Sequence, residues 1–338
     1  AGVLIHQYGP HIFPTNNRRV FDYLSRFTAW RNYQHQVVAN IPAADGRQEL
    51  PVPFNLVSLR AAFPPEQAAA LEEKLLETYG AERKVTILEL RQSADPEIAA
   101  LADYVYEHVF VHYTMKQWGQ TPEEIDPNTT ARVPVFLSRD DRYFQDAWQG
   151  MPLEGYTALF EKLLDHPGIA VELGTDALKR LDLSGDRVRV DGEVFEGPVI
   201  YTGQADELFG FQFGPLPYRT LDFRFETLPR DDFQGYGTVN YTVDEDYTRI
   251  TEFKHMTGQV KPGVTTIVKE YSRSYTGAPE ETPYYAIINP ENNALYARYQ
   301  EAAGRFPNLR LLGRLAEYKY YNMDAIVARA LELSDQLI

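Results

Sequence analysis

The pattern of hydrophobic and polar positions changes along the chain and predicts three kinds of segment. Between residues 56 and 135, apolar residues recur every three or four positions, as on the buried face of an α-helix. Between residues 206 and 300, apolar and polar residues alternate, which indicates antiparallel strands. The flanking segments combine strands, glycine turns and helices. We therefore predict an α/β protein with a helical insertion and an antiparallel sheet.

The pattern also predicts individual elements. Helices are predicted at residues 18–33, 65–79 and 156–164, in a segment that follows Asp95 and extends to Val109, and in one that begins at Thr121-Pro122-Glu123-Glu124. Strands are predicted at residues 3–5, 37–39, 50–52, 169–173, 198–202, 220–226, 237–241, 248–253 and 265–271. Hairpin turns are predicted at Asp45-Gly46 and Asp191-Gly192.

The stretch from residue 313 to 324 connects a short strand to the last helix. Asn322 stands at the predicted N-cap and Asp324 in the first turn. The start of a helix offers free backbone N–H groups and a positive dipole end, which suit an anionic ligand group. The loop also carries Tyr318, Tyr320, Tyr321, Arg314 and Lys319. A ligand site and a capped helix with structurally packed tyrosines remain equally open from this stretch alone.

Composition excludes several classes of function. The 33 basic and 48 acidic residues give a net charge of -15, which argues against an extended nucleic-acid surface. The absence of cysteine excludes disulfides and cysteine nucleophiles, and it fits a cytoplasmic location. No apolar run is long enough to predict a membrane span. The 23 tyrosines and 18 phenylalanines are compatible with a ligand cleft lined by aromatic rings.

The motifs that define common hydrolases, P-loop enzymes and zinc proteases are missing from the sequence. His108 and His112 are four residues apart, but no third ligand accompanies them, so we predict no metal site. What remains are separate segments rich in Tyr, Arg and Trp. Arginine suits a diphosphate because its planar fork donates two hydrogen bonds to adjacent oxygens. These segments favour a nucleotide or sugar phosphate, although each residue taken singly also fits an ordinary core or surface position.

Five motifs occur together in a fixed order. They are Gly-Pro-His-Ile-Phe, Tyr-Thr-x-Lys-Gln-Trp-Gly, Asp-Asp-Arg-Tyr-Phe, Tyr-Thr-Arg-Ile-Thr-Glu-Phe-Lys-His and Gly-Arg-Leu-x-x-Tyr-x-Tyr-Tyr-Asn-Met-Asp. Over nearly its whole length the chain thereby resembles the bacterial UDP-galactopyranose mutases. The resemblance implies a cytoplasmic, homodimeric FAD enzyme that isomerises UDP-galactopyranose and UDP-galactofuranose through a reduced-flavin N5 sugar adduct. It implies no membrane or nucleic-acid partner.

The resemblance also implies a domain organisation. It assigns residues 1–30, 150–205 and 301–338 to a Rossmann-like FAD-binding domain, residues 56–135 to a helical domain, and residues 31–55 and 206–300 to a twisted antiparallel sheet domain that binds substrate. No Gly-x-Gly-x-x-Gly is present, and the chain starts after the position of the family's first βαβ unit. We therefore expect the FAD-binding domain to be incomplete at its N-terminus.

Residue by residue, the resemblance implies a set of roles. The expected catalytic residues, which contact the diphosphate or the sugar, are Arg249, Tyr285, Tyr320 and Asn322. The expected substrate-binding residues are Asn55, Tyr113, Thr114, Trp118, Phe136, Trp148 and Tyr284. The expected cofactor-binding residues are Gly9, His11, Gly203, Arg219, Arg314 and Met323.

Three positions depart from the family's pattern. Pro14 stands where the family has a histidine near the flavin, Phe136 where it has a second clamping arginine, and Trp148 where it has a substrate tyrosine. Removing one charged partner of a diphosphate costs about 2 to 5 kcal/mol of binding. Two alternatives therefore stay open: a catalytically impaired homologue that binds a nucleotide sugar or flavin, and a flavoprotein of the amine-oxidase type.

Overall fold

A computed structural model describes residues 2–44, 46–121 and 134–337. The chain divides into two compact units. Unit 1 comprises Ala1–Pro14, Asn32–Met151 and Thr220–Ser274, and unit 2 comprises Thr15–Arg31, Pro152–Arg219 and Tyr275–Ile338. The finer division into FAD-binding, helical and sheet domains stays a prediction. No helix in the described part of the chain is both long and apolar enough to cross a membrane.

The described part of the chain contains both helices and strands. The helices are α1 (Arg18–Leu24), α2 (Leu56–Ala62), α3 (Pro65–Tyr79), α4 (Ile87–Arg91), α5 (Pro96–Val105), α6 (Val111–Trp118), α7 (Gly155–Leu164), α8 (Ala205–Leu208), α9 (Phe253–Thr257), α10 (Pro290–Gly304) and α11 (Met323–Leu337), with a π-helical turn at Tyr106–Phe110 and a 3-10 turn at Ala177–Lys179. The strands are β1 (Phe13–Thr15), β2 (Trp30–Asn32), β3 (Val37–Ala43), β4 (Gly46–Val52), β5 (Lys84–Val85), β6 (Val135–Phe136), β7 (Trp148–Pro152), β8 (Leu181–Asp182), β9 (Arg189–Val190), β10 (Glu193–Val194), β11 (Val199–Tyr201), β12 (Tyr218–Leu228), β13 (Thr238–Tyr241), β14 (Arg249–Glu252), β15 (Thr265–Ser274), β16 (Tyr285–Ala286) and β17 (Leu309–Leu311).

Unit 1 is built on a large sheet with the strand order β12-β15-β14-β13-β3-β4. Strands β13, β14 and β15 pair antiparallel, as the alternating pattern predicts. Strand β13 also pairs with β3, and this pairing is parallel. Because β3 and β13 lie about 200 residues apart in sequence, no hairpin connects them and a parallel pairing is possible.

The helical part of unit 1 follows its local sequence signals. Helix α3 begins with Pro65 at its first position and ends before Gly80, which adopts a φ of +86°. Asp95 caps α5 by accepting hydrogen bonds from the two backbone N–H groups of Glu97 and Ile98. Apolar side chains of α3 and α5 form one buried cluster with side chains of β3 and β4, including Leu71, Leu75, Leu101, Ile41 and Leu50.

Unit 2 contains two smaller sheets and the long helices α10 and α11. Strands β11 and β17 pair parallel, and β8, β9 and β10 form an antiparallel sheet whose turn is the predicted Asp191-Gly192. The first two residues of β12 belong to this unit and pair with β16, so that Tyr218 lies opposite Ala286 and Arg219 opposite Tyr285. Tyr218 and Tyr299 are among the largest buried side chains of its core.

Three sequence-based predictions of elements are wrong. Residues 3–5 form no strand, because the backbone N–H of Leu4 bonds to the Gln259 side chain and not to a neighbouring strand. The helix predicted at 18–33 ends at Leu24, where the hydroxyl of Ser25 bonds to the carbonyl of Phe21. Residues 169–173 form no strand and leave Leu173 90% exposed. The helix predicted at Thr121-Pro122-Glu123-Glu124 and the turn residue Asp45 lie outside the described residues.

Candidate functional site

The loop between β17 and α11 is held in place by its own backbone and by one acidic side chain. Gly313 ends the strand with a φ of +109°, a conformation that favours glycine. Its N–H donates to Oε2 of Glu317 at 2.9 Å, and its carbonyl accepts from the N–H of Glu317 at 2.9 Å. Helix α11 begins at Met323, and the N–H of Ile326 donates to the carbonyl of Asn322. The predicted helix start is therefore confirmed.

Arg314 organises the tyrosines of this loop. Its Nε and Nη2 donate to the carbonyl of Tyr321 at 2.9 and 2.7 Å, and its Nη1 donates to the carbonyl of Tyr284 at 3.4 Å. The same guanidinium lies over the ring of Tyr320, with Cζ 4.3 Å from the ring centroid. Arg314 thus joins the loop before α11 to the segment before β16.

The rings of Tyr285 and Tyr320 are stacked, with centroids 5.8 Å apart and planes 13° apart. Both residues are half-buried. Strand pairing places Tyr285 opposite Arg219, and the N–H of Tyr284 donates to the Arg219 carbonyl at 2.9 Å. Unit 2 therefore brings together five of the residues singled out in the sequence: Arg219, Tyr284, Tyr285, Arg314 and Tyr320.

Tyr318, in contrast, belongs to the core. It is 2% exposed, and its hydroxyl donates to the carbonyls of Pro217 and Ile287. Burial raises the pKa of this phenol above its ordinary value. The interpretation as a structurally packed tyrosine is thus confirmed for Tyr318.

The first turn of α11 already carries a negative charge. The Asp324 carboxylate accepts from the N–H of Ala325 at 2.8 Å and from the hydroxyl of Thr15 at 3.0 Å. Asn322 is exposed and Met323 half-buried. A carboxylate in this position is stabilised by the positive end of the helix dipole.

In unit 1, Arg249 lies beside a buried acid. Its Nε is 2.8 Å from Oε1 of Glu270, and the side chains are 26% and 1% exposed. The N–H of Nε does not point along this line, so charge attraction rather than a directed hydrogen bond joins the two groups. Burial, together with the charge of Arg249, lowers the pKa of His35 to about 3. The sequence analysis missed Glu270, which the strand register places directly opposite Arg249.

The predicted uridine and sugar contacts lie on α6. Thr114 is buried, and Tyr113 and Trp118 are half-buried. The helix follows the π-helical turn at Tyr106–Phe110, in which the N–H of Val111 donates to the carbonyl of Tyr106. Turns of this kind occur often at functional sites.

Asn55 and Phe136 are neighbours in unit 1, joined by an isolated parallel bridge. The side-chain oxygen of Asn55 caps α2 by accepting from the N–H groups of Val57 and Ser58. The Phe136 ring is 5% exposed, and the ammonium of Lys84 lies 5.5 Å from its centroid. Trp148 is half-buried in β7. Both Asn55 and Phe136 therefore take part in holding the unit together.

The predicted cofactor residues near the start of the chain lie close to a second histidine that the sequence analysis missed. His11 Nδ1 is 2.8 Å from the carbonyl of Gly9, and its backbone N–H donates to Nδ1 of His6. Burial, together with His11, lowers the pKa of His6 to about 4.

In unit 2, a Cβ at Gly203 would lie 2.5 Å from the hydroxyl of Tyr201, so this backbone has no room for a side chain.

Asp232, Glu252 and His255 form the one group of metal-ligand type within the described residues. Glu252 is fully buried and accepts hydrogen bonds from the N–H groups of Phe233 and Gln234. His255 Nε2 lies 2.7 Å from Oδ2 of Asp232. Since these atoms already satisfy one another, the group is an ion-pair network and carries no argument for a metal.

Comparison with solved structures shows likeness in fold alone. The chain superposes with a TM-score of 0.58 and 12% identity on a protein described as a candidate protoporphyrinogen oxidase from Exiguobacterium sp. 255-15, covering 97% of this chain and 86% of that one. It superposes with a TM-score of 0.51 and 9% identity on an oxidoreductase from Methanosarcina mazei, covering 97% and 90%. The predicted α/β fold is confirmed.

Comparison with known sequences is more specific. The UDP-galactopyranose mutase of Mycoplasma pneumoniae is 35% identical over 345 residues, covering 100% of this chain and 85% of that protein. The dTDP-fucopyranose mutase of Escherichia coli is 33% identical, covering 100% of this chain and 86% of that protein. A family model described as UDP-galactopyranose mutase matches residues 108–320. The chain therefore belongs to the UDP-galactopyranose mutase family, a family of sugar mutases.

Proposed function

We propose that this chain isomerises UDP-galactopyranose and UDP-galactofuranose. The observation that carries the proposal is the stacked pair of Tyr285 and Tyr320 beneath the guanidinium of Arg314. Within a mutase family, two half-buried phenols held at a fixed spacing suit a pair of phosphate oxygens. A phenol donates one hydrogen bond, and a bond to a charged acceptor contributes about 1.5 to 3 kcal/mol.

For the other residues singled out in the sequence we propose the roles in nucleotide-sugar recognition that the resemblance implies. Arg249 would donate to the diphosphate and stabilise the charge on the departing UDP. Tyr113 and Trp118 would contact the uridine by stacking, with Asn55, Thr114, Phe136, Trp148 and Tyr284 as further substrate contacts. Asn322 would lie near the sugar. These roles rest on the resemblance and on the residue chemistry.

Family membership and the fold indicate a flavin cofactor, and we propose FAD in its reduced form. In this family the reduced flavin supplies a nucleophile for the anomeric carbon of the sugar. Arg219 and Arg314 lie in one unit and supply positive charge that suits an anionic group, whereas the Asp324 carboxylate already accepts from the N–H of Ala325 at the start of α11. Gly9, His11, Gly203 and Met323 would supply further contacts.

The biological setting is also a proposal. We propose a homodimer that works in the cytoplasm and supplies galactofuranose for a cell wall or surface polysaccharide. The absence of cysteine fits a reducing compartment.

Two other functions deserve a direct test. One relative is named a dTDP-fucopyranose mutase, and its 33% identity nearly equals that of the UDP-galactopyranose mutases. A different nucleotide sugar is therefore the second candidate substrate.

The buried Phe136, at a position where the family has an arginine, favours a homologue that binds nucleotide without turning it over.

The test is conversion of UDP-galactofuranose and of dTDP-fucofuranose by the full chain, followed by chromatography of the nucleotide sugars with and without dithionite. We expect turnover of the UDP-sugar that requires the reductant, and a flavin absorption band in the purified protein. Turnover of the dTDP-sugar alone would support the second candidate. Binding of UDP by calorimetry with no conversion of either sugar would show a non-catalytic homologue and overturn the proposal.

A further inference from the structure

Lys116 on α6 is bonded to the neighbouring hairpin by its side chain. Its ammonium donates to the carbonyls of Tyr241 at 2.5 Å, Glu245 at 2.9 Å and Tyr247 at 3.4 Å. All three carbonyls belong to residues 241–248, which connect β13 to β14 and are called here the 241–248 hairpin. A lysine has three donors, so this arrangement uses its full capacity on one short piece of backbone.

The surroundings of Lys116 act on its charge in opposite directions. Burial lowers the pKa of Lys116, while the carboxylates of Glu245, Asp244 and Asp246 oppose that shift. Arg47 of β4 lies 3.3 Å from the Asp244 carboxylate and 3.0 Å from that of Glu245. The acidic hairpin thus contacts two cations from two different elements.

Two further bonds join the same helical segment to the sheet. The hydroxyl of Thr242 donates to the carbonyl of His108 at 2.5 Å, within the π-helical turn that precedes α6. The hydroxyl of Ser272 on β15 donates to the carbonyl of Gln117 at 2.8 Å. The extra residue of a π turn changes the rotation of the helix that follows, so these bonds fix which face of α6 is presented.

The bonded elements are those that carry the candidate substrate residues of unit 1. The 241–248 hairpin runs directly into Arg249 at the start of β14, and Ser272 stands two residues after Glu270 on β15. Lys116 is therefore tied to the hairpin that leads into Arg249, and the next residue, Gln117, is tied to the strand that carries Glu270. The helix also carries Tyr113, Thr114 and Trp118.

We propose that Lys116 is a positioning residue for the nucleotide-sugar site, fixing the helix that presents Tyr113, Thr114 and Trp118 against the strand that presents Arg249. The lysine touches no substrate in this proposal and acts through the residues it holds. The inference rests on the proposed function. The inference adds Lys116 to the proposed site as a residue that fixes the positions of the substrate-binding residues.

The test compares Lys116→Met, which keeps the length of the side chain and removes its donors, with the wild type. Amide hydrogen exchange in residues 111–118 and 241–248 should become at least 10-fold faster in the variant. The Kd for UDP, measured by calorimetry on the full chain, should rise at least 10-fold. Lys162→Met, which removes a lysine paired with the exposed Glu154, should change neither measurement.

Unchanged exchange in both segments would overturn the proposal, and so would faster exchange with an unchanged Kd for UDP, since the lysine would then have a structural role alone. If Lys116→Met does not fold, Thr242→Val removes the adjacent tie and should give the same two changes, at least threefold each. The absence of both changes there would equally overturn the proposal. A wild-type chain that bound no UDP would contradict the proposed function, and the exchange measurement distinguishes that failure from a failure of Lys116 to hold the helix.

Discussion

Arg249 and Glu270 face each other across β14 and β15, with Nε 2.8 Å from Oε1 and the acid almost fully buried. A buried carboxylate is costly unless a cation compensates it. The arginine therefore has a structural task in addition to the substrate contact that we propose for it.

We predict that Arg249→Met lowers the free energy of unfolding by about 3 to 5 kcal/mol, because it leaves the buried Glu270 carboxylate without its compensating charge. Combining Arg249→Met with Glu270→Gln should restore most of that stability. Urea unfolding measures both changes.

The double variant also separates the two tasks of Arg249. It should regain stability without regaining affinity for UDP or mutase turnover. Recovery of UDP affinity in the double variant would mean that Arg249 acts on the site by supporting the fold alone.

The hydroxyls of Tyr285 and Tyr320 give a second prediction. Tyr285→Phe and Tyr320→Phe keep the stacked rings and remove one donor each. We expect kcat/KM to fall about 10- to 100-fold in each variant, since a hydrogen bond to a charged group contributes about 1.5 to 3 kcal/mol. The melting temperature should change little. Steady-state kinetics and thermal unfolding together check this prediction.

Tyr299 offers a matched control for this pair. Its buried hydroxyl donates to the carbonyl of Gly214 and accepts from the N–H of Phe213. Tyr299→Phe should lower stability by about 1 to 3 kcal/mol, because a half-buried N–H and a half-buried carbonyl lose their partner, and it should leave turnover unchanged. If Tyr299→Phe lowered turnover, and Tyr285→Phe and Tyr320→Phe lowered only stability, the result would contradict the site that we propose.

The features predicted best from the sequence are the helix ends that neighbouring residues determine. Proline and glycine placed both ends of α3, and aspartate placed the start of α5, because capping depends on neighbouring residues. The sequence-based predictions failed where contacts between distant parts of the chain determine the structure. The mostly apolar residues 169–173 suggested a strand, yet no strand among the described residues pairs with them.

The candidate site shows the same limit. Tyr318 and Tyr320 are two residues apart and of one type, but Tyr318, with a φ of +45°, points into the core, whereas Tyr320 lies under Arg314. No local pattern distinguishes them. Likewise, the strand register that pairs Arg249 with Glu270 joins residues 21 positions apart, and the sequence alone does not fix that register.

His35 leads to a prediction on acid stability. Burial first, and Arg249 second, lower its pKa to about 3 in the folded chain, against about 6.5 in an unfolded one. A depressed pKa means that the unfolded state binds the proton more readily. The contribution of neutral His35 is therefore present above about pH 6.5 and is lost as the pH falls toward 3, by up to about 1.4 kcal/mol per pH unit.

Urea unfolding of the wild type and of His35→Phe at pH 5, 6 and 7 checks this prediction. The variant cannot take up the proton, so its stability should fall less steeply between pH 6.5 and 5, by about 2 kcal/mol over that range. Parallel curves for the two proteins would show that His35 does not titrate as its surroundings indicate.

The stability contribution of His255 should change with pH in the opposite direction to that of His35. The Glu252 carboxylate, 3.6 Å from Nε2, is the largest cause that raises the pKa of His255 above its ordinary value, and the charge of Asp232 is a further cause. A raised pKa means that the folded state holds the proton more tightly. The stabilisation by protonated His255 is thus complete below about pH 6.5 and is lost as the pH rises through the folded pKa.

The comparison of His255→Gln with the wild type therefore predicts a difference in unfolding free energy that is largest near pH 5.5 and shrinks as the pH increases to 9. The hydrogen bonds to Glu252 lower the pKa of this carboxyl below its ordinary value, although burial, the largest single influence, acts against them. Its contribution is present above about pH 4.5 and lost on acidification, so the network is most stabilising between about pH 4.5 and 6.5. A difference between His255→Gln and the wild type that grew with increasing pH would show that the Asp232, Glu252 and His255 network does not hold a proton on the imidazole.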